Sequence, residues 1–361
     1  MLDVRLRHRF RGFSLDVAFE APPGVTVLSG RSGSGKTTIV SALAGLLAPD
    51  EGRIAVDGET LLDTGRGIRL PPHRRRLGYV FQDARLFPHL TVAQNLDYGA
   101  WFAPRNAPRE DAGRVVEMLG IGHLLGRRPG ALSGGERSRV AIGRALLSAP
   151  RLILADEPLA SLDEERKAEI LPYFERLRDE VSVPILYVSH AASEVARLAT
   201  TIVALEGGRV LRQGPADEVL ADPMVLPLGA REAGAVLSAV VAGHHDDGLT
   251  ELAAGDARLF LPRVARPLGT AIRLRVAAHD VIVARGPRPE GLSALNILPG
   301  TVVDLRRGTG PGVMVAIETG AGRLLARITR RSAETLELAP GLAVHAIAKT
   351  VTIAPGDVGG G

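Results

Sequence analysis

Apolar residues in the first 230 positions alternate between short β-rich runs and longer stretches with helical spacing. The β-rich runs lie at 25–29, 52–56, 77–81, 152–155 and 185–188. Helical spacing is found at 37–47 and through most of 91–147. The last two β-rich runs are apolar throughout, which is typical of buried parallel strands. Strands that alternate with helices predict an α/β domain in this half of the chain.

A different pattern begins near Pro227. Short β-rich pieces, for example 271–276 and 313–317, are separated by glycine, proline and aspartate. Many short strands with turn signals predict a small β-barrel or sandwich. The chain ends in GDVGGG at 356–361, which predicts a disordered tail.

The length and composition narrow the possible classes of protein. The chain has 361 residues, which is more than one ordinary core accommodates, so two or three domains are expected. Cysteine is absent, which excludes disulfides, thiolate nucleophiles and cysteine metal sites. The start, MLDVRLRHRF, is charged throughout and predicts no signal peptide. Without a run of about 18 apolar residues, the sequence predicts no membrane span.

The net charge is slightly positive, with 44 basic and 40 acidic residues giving +4. Basic clusters are short, and the three arginines at 74–76 are an example. Scattered arginines on a solvated surface explain this balance, so we expect no nucleic-acid partner.

The segment GRSGSGKTT has the composition and spacing of a phosphate-binding loop. It comprises Gly30, Arg31, Ser32, Gly33, Ser34, Gly35, Lys36, Thr37 and Thr38. The glycines let backbone N–H groups turn inward around a phosphate, and the helix that follows adds its positive N-terminal end. Lys36 can reach the β- and γ-phosphates, and the Thr37 hydroxyl can bind Mg²⁺. The β-rich run before the loop and the helical pattern after it are the required context.

Two adjacent carboxylates follow the β-rich run at 152–155. Asp156 is a candidate to hold the metal through water, and Glu157 is a candidate to orient the attacking water. A solvated acidic turn is the alternative, and the phosphate loop upstream favours the catalytic interpretation.

The segment LSGGE contains Ser133, Gly134, Gly135 and Glu136, and RVAIGRAL follows shortly after it. A helix start of this kind favours an anion, although a plain helix N-cap has the same composition. LSGGE with RVAIGRAL closely resembles the signature of ABC-transporter ATPases. The resemblance implies a second phosphate cradle, which closes on ATP held by the phosphate loop of another copy, so that ATP joins two copies head to tail.

The same resemblance assigns roles to isolated residues. Gln82 matches the glutamine loop that binds Mg²⁺, Asp163 matches the loop that crosses the dimer seam, and His190 matches the switch histidine at the γ-phosphate. The family also stacks adenine on an aromatic residue upstream of the phosphate loop. Phe10 is the candidate here, beside Phe13, and both can equally be core residues.

Two further segments resemble importers. Residues 83–98 are similar to the importer ATPases in the region beside the permease's coupling helix, and 291–303 with 340–349 are similar to the small oxyanion-binding module called Mop. Ser293 and Lys349 are the candidates for oxyanion binding. The position that is often arginine in Mop modules is Leu295, so a purely structural module that helps dimerisation is the alternative.

Over roughly residues 1–355 the chain resembles the ATP-binding subunits of molybdate importers. The resemblance implies a P-loop ABC ATPase domain at 1–230 with a helical subdomain at about 88–150. A β-rich connecting segment at 231–288, an all-β, OB-like Mop domain at 289–355 and the tail at 356–361 follow.

The implied function is hydrolysis of ATP, with Mg²⁺, to drive uptake of molybdate or tungstate. The expected partners are a second copy of the chain, two copies of a membrane permease and, indirectly, a periplasmic molybdate-binding protein. The expected location is the cytoplasmic face of the inner membrane. The alternatives are a related importer for sulfate, ferric iron, sugar or polyamine, a cytosolic ATPase that acts on nucleic acid or ribosomes, and a C-terminal half that is mainly a molybdate sensor.

Overall fold

The structure is a computed structural model that describes residues 1–103, 107, 110–160, 162–181, 183–223, 225, 232–308, 310–349 and 357–360. Backbone contacts divide the chain into two compact units. The first consists of Met1–His190 and Leu198–Gln213, and the second of Ala191–Arg197 and Gly214–Gly361. The predicted domain boundary at residue 230 lies outside the described residues.

The first part of the chain contains strands and helices in alternation. In chain order they are β1 (Leu2–Phe10), β2 (Phe13–Ala21), β3 (Val25–Gly30), α1 (Lys36–Ala44), β4 (Glu51–Val56), β5 (Glu59–Asp63), β6 (Ile68–Arg69), β7 (Leu77–Val80), α2 (Val92–Phe102), α3 (Ala112–Met118), α4 (Gly134–Leu147), β8 (Leu152–Asp156), α5 (Glu164–Glu180), β9 (Ile185–Val188), α6 (Ala192–Leu198), β10 (Thr201–Glu206) and β11 (Arg209–Pro215).

Two sheets organise the first unit. One is antiparallel with the order β2-β1-β4-β5-β6, and the other has the order β11-β10-β3-β9-β8-β7. In the second sheet β10, β3, β9, β8 and β7 run parallel. Their apolar side chains share one core with α1 and the antiparallel sheet. The predicted α/β fold is therefore confirmed, and the parallel strands end at one edge of the sheet.

Helix α1 ends three residues earlier than its apolar pattern predicts. Gly45 follows it with φ +78°, a left-handed conformation that glycine adopts without strain. The buried guanidinium of Arg75 donates to the carbonyls of Ala42 and Leu43, both at 2.7 Å. These hydrogen bonds satisfy carbonyls of the last turn and stop the helix there.

Helices α2 and α3 pack on α4 within 88–150, the range of the predicted helical subdomain. Helix α2 begins with a capping box between Thr91 and Gln94. Gly143 of α4 allows the close approach, since a Cβ there would lie 2.8 Å from Leu96 Cδ2 of α2. Within the described ranges, no helix is both long and apolar enough to cross a bilayer.

The second unit is rich in strands. Its elements after α6 are α7 (Ala216–Leu220), β12 (Gly234–His244), β13 (Leu249–Ala254), β14 (Ala257–Pro262), β15 (Ala271–Ala277), β16 (Val281–Arg285), β17 (Asn296–Arg307), β18 (Gly312–Thr319), β19 (Gly322–Thr329), α8 (Arg330–Thr335), β20 (Ala343–Ala348) and β21 (Val358–Gly360). Two antiparallel sheets, β14-β13-β12-β15-β21 and β16-β20-β17-β18-β19, share one apolar core. The predicted β-rich C-terminal half is confirmed.

The C-terminal residues correct one expectation. Residues 358–360, expected to be disordered, form β21 and pair antiparallel with Ile272–Leu274 of β15. Asp357 accepts a hydrogen bond from Arg275 at 2.8 Å, and both side chains are largely buried. Backbone pairing does not need side chains, so a glycine-rich segment can add to a sheet once an ion pair holds it there.

Candidate nucleotide-binding site

The predicted phosphate loop joins β3 to α1. Gly33 and Gly35 have φ values of +81° and +103°, which L side chains rarely adopt. A Cβ at Gly35 would also lie 2.6 Å from Leu15 Cδ1. Within the loop, Ser34 N donates to Arg31 O at 3.1 Å. No side chain caps the start of α1, so the glycine-shaped backbone presents this helix end without competition from a capping oxygen.

Lys36 lies beneath this loop and is 5% exposed. Its ammonium donates to the carbonyl oxygens of Gly30 at 2.7 Å and Arg31 at 3.1 Å. Burial lowers the pKa of Lys36, while the charges of Glu157 and Asp156 oppose that shift. The ammonium therefore lies in the field of both carboxylates, although they are about 120 residues distant in sequence.

Glu157 and His190 meet just beyond β8 and β9. His190 Nε2 lies 2.7 Å from Glu157 Oε1, and the two side chains are 46% and 28% exposed. Glu157 N donates to Val188 O at 3.0 Å, which ties the turn after β8 to the end of β9. Glu157 has φ +48°. A non-glycine residue in this region is strained, and such residues concentrate at functional sites.

Asp156 has a hydrogen-bonding partner that the sequence motifs do not indicate. Tyr79 Oη donates to Asp156 Oδ2 at 3.2 Å. Burial raises the pKa of the Asp156 carboxyl, and the hydrogen bond from Tyr79 opposes the shift. Burial, followed by the negative charge of Asp156, raises the pKa of Tyr79. No cluster of three His, Asp or Glu side chains suited to a metal occurs in the part of the chain that the structure describes.

The predicted signature segment begins α4. Ser133 is the N-cap, and its hydroxyl accepts a hydrogen bond from Glu136 N at 3.2 Å. The Glu136 carboxylate in turn accepts one from Ser133 N at 2.6 Å. This backbone hydrogen bond lowers the pKa of Glu136. Gly134 and Gly135 form the first turn. The helix-cap interpretation is therefore correct for the single chain, and it leaves the proposed contact with a second copy untested.

Gln82 is exposed and lines a cavity of about 510 Å³. Gly134 of the signature segment and Leu162 line the same cavity. The glutamine loop, the signature segment and the loop before α5 therefore meet in one subunit. The binding of a metal by Gln82 stays a prediction.

Asp163 lies at the start of α5, and the two aromatic candidates lie at the β1–β2 turn. Asp163 caps α5 by accepting a hydrogen bond from Arg166 N at 2.9 Å; its neighbour Ser161 lies outside the described residues. Phe10 is 43% exposed at the β1–β2 turn. Phe13 is nearer the phosphate loop, since its ring would contact a Cβ on Gly35 at 3.3 Å. The adenine-stacking role of Phe10 stays a prediction.

The two oxyanion candidates lie at one end of the second sheet of the C-terminal unit. Asn296 of β17 is opposite Ala348 of β20, so Ser293 and Lys349 flank the same end of this strand pair. Both side chains are exposed. The buried Asn296 side chain accepts a hydrogen bond from Phe260 N and donates one to Phe260 O. Oxyanion binding by Ser293 and Lys349 stays a prediction.

Comparison with protein-family models finds one match in each half of the chain. A family model described as ABC transporter matches residues 15–160, and one described as TOBE domain matches 292–354. A nucleotide-free ATP-binding cassette from an ABC transporter has 26% identity and a TM-score of 0.52, and the match covers 63% of this chain and 97% of that structure.

Similarity to curated proteins extends over nearly the whole chain. The molybdenum import ATP-binding protein ModC of Rhizobium meliloti strain 1021 is 53% identical, covering 98% of this chain and 99% of its own. The protein of the same name from Mesorhizobium japonicum is 51% identical, covering 99% and 97%. At this identity and coverage, the chain belongs to the ModC family of ABC-transporter ATP-binding proteins.

Proposed function

We propose that the chain is the ATP-hydrolysing subunit of an ABC importer that takes up molybdate through a separate membrane permease. The observation that carries the hydrolytic role is the 2.7 Å contact between Glu157 and His190, beside Lys36 and Asp156. The names of the relatives support molybdate as the cargo, and tungstate, an oxyanion of the same shape, is included. The site of action is the cytoplasmic face of the inner membrane, where the chain binds the permease.

Mg²⁺ fits the residues present. Magnesium prefers oxygen ligands and is usually held by one or two protein groups together with phosphate oxygens. The Asp156 carboxylate, the hydroxyl of the exposed Thr37 in the first turn of α1 and the Gln82 amide supply oxygens of this kind. Asp156 also lies within the electrostatic field of Lys36, as a metal ligand near bound phosphates would. When bound, Mg²⁺ neutralises charge on the phosphates.

The residues of the chain have separate roles in the hydrolysis of ATP. The phosphate loop binds the phosphates through backbone N–H groups, and Lys36 leaves its loop carbonyls to donate to the β- and γ-phosphates. Glu157 accepts a hydrogen bond from the attacking water and orients it. His190 Nε2, which contacts Glu157 in the free chain, turns to the γ-phosphate and donates to the oxygen on which negative charge increases.

A complete site needs two copies of the chain. Ser133, Gly134, Gly135 and Glu136 of one copy close on the ATP held by residues 30–38 of the other, and Asp163 lies at the seam. Closure moves the helical part at 88–150 and, through residues 83–98, the permease. Hydrolysis separates the copies again.

The proposal is tested by complementation. In a strain that lacks this chain, wild-type protein is expected to restore uptake of labelled molybdate, whereas Glu157→Gln is not. Labelled sulfate and ferric iron are the matched cargo controls. Equal restoration by both proteins would refute the role of Glu157, and restoration of sulfate or iron uptake without molybdate would refute the cargo.

A further inference from the structure

Tyr79 and Asp156 share one face of the parallel sheet. Tyr79 of β7 is in register with Leu154 of β8, and side chains two residues apart on a strand point to the same side. The long tyrosine side chain therefore reaches along the face to Asp156, where its hydroxyl donates at 3.2 Å. The hydroxyl occupies one lone-pair direction of Oδ2, which restricts rotation of the carboxylate.

The ring of Tyr79 is also held by a neighbouring aromatic ring. The ring of Phe81 stacks on it with centroids 3.8 Å apart and planes 14° from parallel. The guanidinium of Arg85 lies over the ring of Phe81, 4.4 Å from its centroid. Phe81 and Arg85 flank Gln82, so the glutamine loop is tied to the tyrosine that holds Asp156.

Arg144 connects this loop to the helix that the signature segment begins. It lies in α4, and its guanidinium donates to Arg85 O at 2.9 Å and to Ala84 O at 3.2 Å. Ala84 and Arg85 have φ values of +55° and +42°, an unfavourable conformation for residues with a Cβ. The hydrogen bonds from Arg144 satisfy the carbonyls that this conformation turns towards α4. Burial lowers the pKa of Arg144.

We propose that Tyr79 is a positioning residue for the metal-binding carboxylate of Asp156, and that Tyr79, Phe81, Arg85 and Arg144 form a continuous link from that carboxylate to α4. This inference rests on the proposed function, because it takes Asp156 as a ligand of Mg²⁺. This link has a physical consequence. When α4 moves, Arg144 shifts the carbonyls of Ala84 and Arg85, and the Phe81 ring moves with them. The Tyr79 hydroxyl then changes the orientation of the Asp156 carboxylate. A partner that holds a metal ligand in place commonly changes metal affinity by about tenfold or more when it is removed.

The test measures binding of Mn²⁺, as a spectroscopic substitute for Mg²⁺, to the full chain saturated with a non-hydrolysable ATP analogue. Tyr79→Phe keeps the ring and its stacking and removes only the hydroxyl. It is expected to weaken Mn²⁺ binding about tenfold and to leave analogue binding in EDTA unchanged. The Mg²⁺ concentration for half-maximal ATPase activity is expected to rise, with kcat recovering at saturating Mg²⁺.

Tyr173→Phe is the matched control, because Tyr173 is another half-buried tyrosine whose hydroxyl is hydrogen-bonded, by Arg139 at 3.4 Å. A Tyr79→Phe affinity within twofold of this control would overturn the positioning role. Asp156→Asn separates the two levels of the proposal. If Asp156→Asn also binds Mn²⁺ as the wild type does, Asp156 is not a ligand and both levels fail; if it loses Mn²⁺ while Tyr79→Phe does not, only the role of Tyr79 fails.

Phe81→Leu tests the link, since it removes the stacked ring and keeps the tyrosine hydroxyl. If Phe81 acts through Tyr79, Phe81→Leu should weaken Mn²⁺ binding about threefold in the wild-type background. In the Tyr79→Phe background it should have almost no further effect. An undiminished effect in that background would show that the two aromatic residues act independently and would overturn the link.

Discussion

The starts of α1 and α4 are both proposed to bind phosphates of ATP, yet they are built in opposite ways. Helix α1 follows Gly35, whose φ is +103°, and has no side-chain cap. Helix α4 follows Ser133, and Ser133 and Glu136 satisfy each other's backbone N–H groups in a capping box. The start of α1 depends on the backbone conformation of a glycine, whereas the start of α4 depends on hydrogen bonds to two side chains.

The two proposed phosphate cradles therefore differ in what fixes their shape. The loop before α1 has its shape before ligand arrives, because glycine backbone and the buried Lys36 define it. At the start of α4, the Ser133 N–H donates to the Glu136 carboxylate and the Glu136 N–H donates to the Ser133 hydroxyl, so a phosphate there has to compete with these side chains. We infer that the first cradle sets affinity for ATP, and that the second engages only when a partner copy delivers the phosphate.

Replacement of Lys36 is expected to have the largest effect. Lys36→Met should lower ATP turnover at least about a hundredfold, because it removes the charged donor at the phosphates. Its free energy of unfolding should stay the same or rise, since burial penalises the ammonium in the free protein. Lys167→Met on α5 is the matched control. Steady-state ATPase assays and urea unfolding check both parts, and turnover within a few-fold of wild type would refute the role of Lys36.

Paired glycine substitutions contrast the two helix ends directly. Gly35→Ala combines an unfavourable φ with a Cβ 2.6 Å from Leu15 Cδ1, so it should cost about 1–3 kcal/mol of stability and most of the ATP affinity. Gly134→Ala is in the first turn of α4, where the Cβ would meet only the flexible end of Leu162 at 3.2 Å. Its cost to folding should stay below about 1 kcal/mol. Equal losses in urea unfolding and ATP binding would remove the contrast.

The smallest expected effect is a pH dependence at the start of α4. The folded protein holds the pKa of Glu136 below its ordinary value of 4.5. Its contribution to stability is therefore fully present above pH 4.5 and is lost as the pH falls below it through the folded pKa. Glu136→Gln keeps a capping partner without the charge. The stability advantage of wild type over Glu136→Gln should be under about 1 kcal/mol near pH 7 and should shrink below pH 4.5; a constant difference down to pH 3 would contradict this.

The local motifs were the predictable part of the site. The phosphate loop and the Asp156–Glu157 pair follow buried strands, and such residues at strand ends collect at one edge of a parallel sheet. The alternation of strands and helices also predicted the α/β fold, which is confirmed. The Glu157–His190 contact follows from the strand order, because β8 and β9 are neighbours.

The side-chain partners between distant segments were not predictable in this way. Tyr79 meets Asp156 only because β7 pairs with β8, and Arg144 meets the glutamine loop only through the packing of α4. Similarly, Phe13 approaches Gly35, although the sequence analysis selects Phe10 as the aromatic candidate. The spacing of apolar residues indicates which face of a strand or helix is buried. It does not indicate which other strand or helix packs against that face.

The most direct test is the mass of Glu157→Gln in solution with ATP and Mg²⁺, measured by size exclusion with light scattering. If one ATP is held between the phosphate loop of one copy and the signature segment of the other, this variant should accumulate as a species of twice the 38.1 kDa chain. It should return to the single mass when ATP is removed. A mass that stays at one chain under saturating ATP and Mg²⁺, with permease supplied, would contradict the shared site.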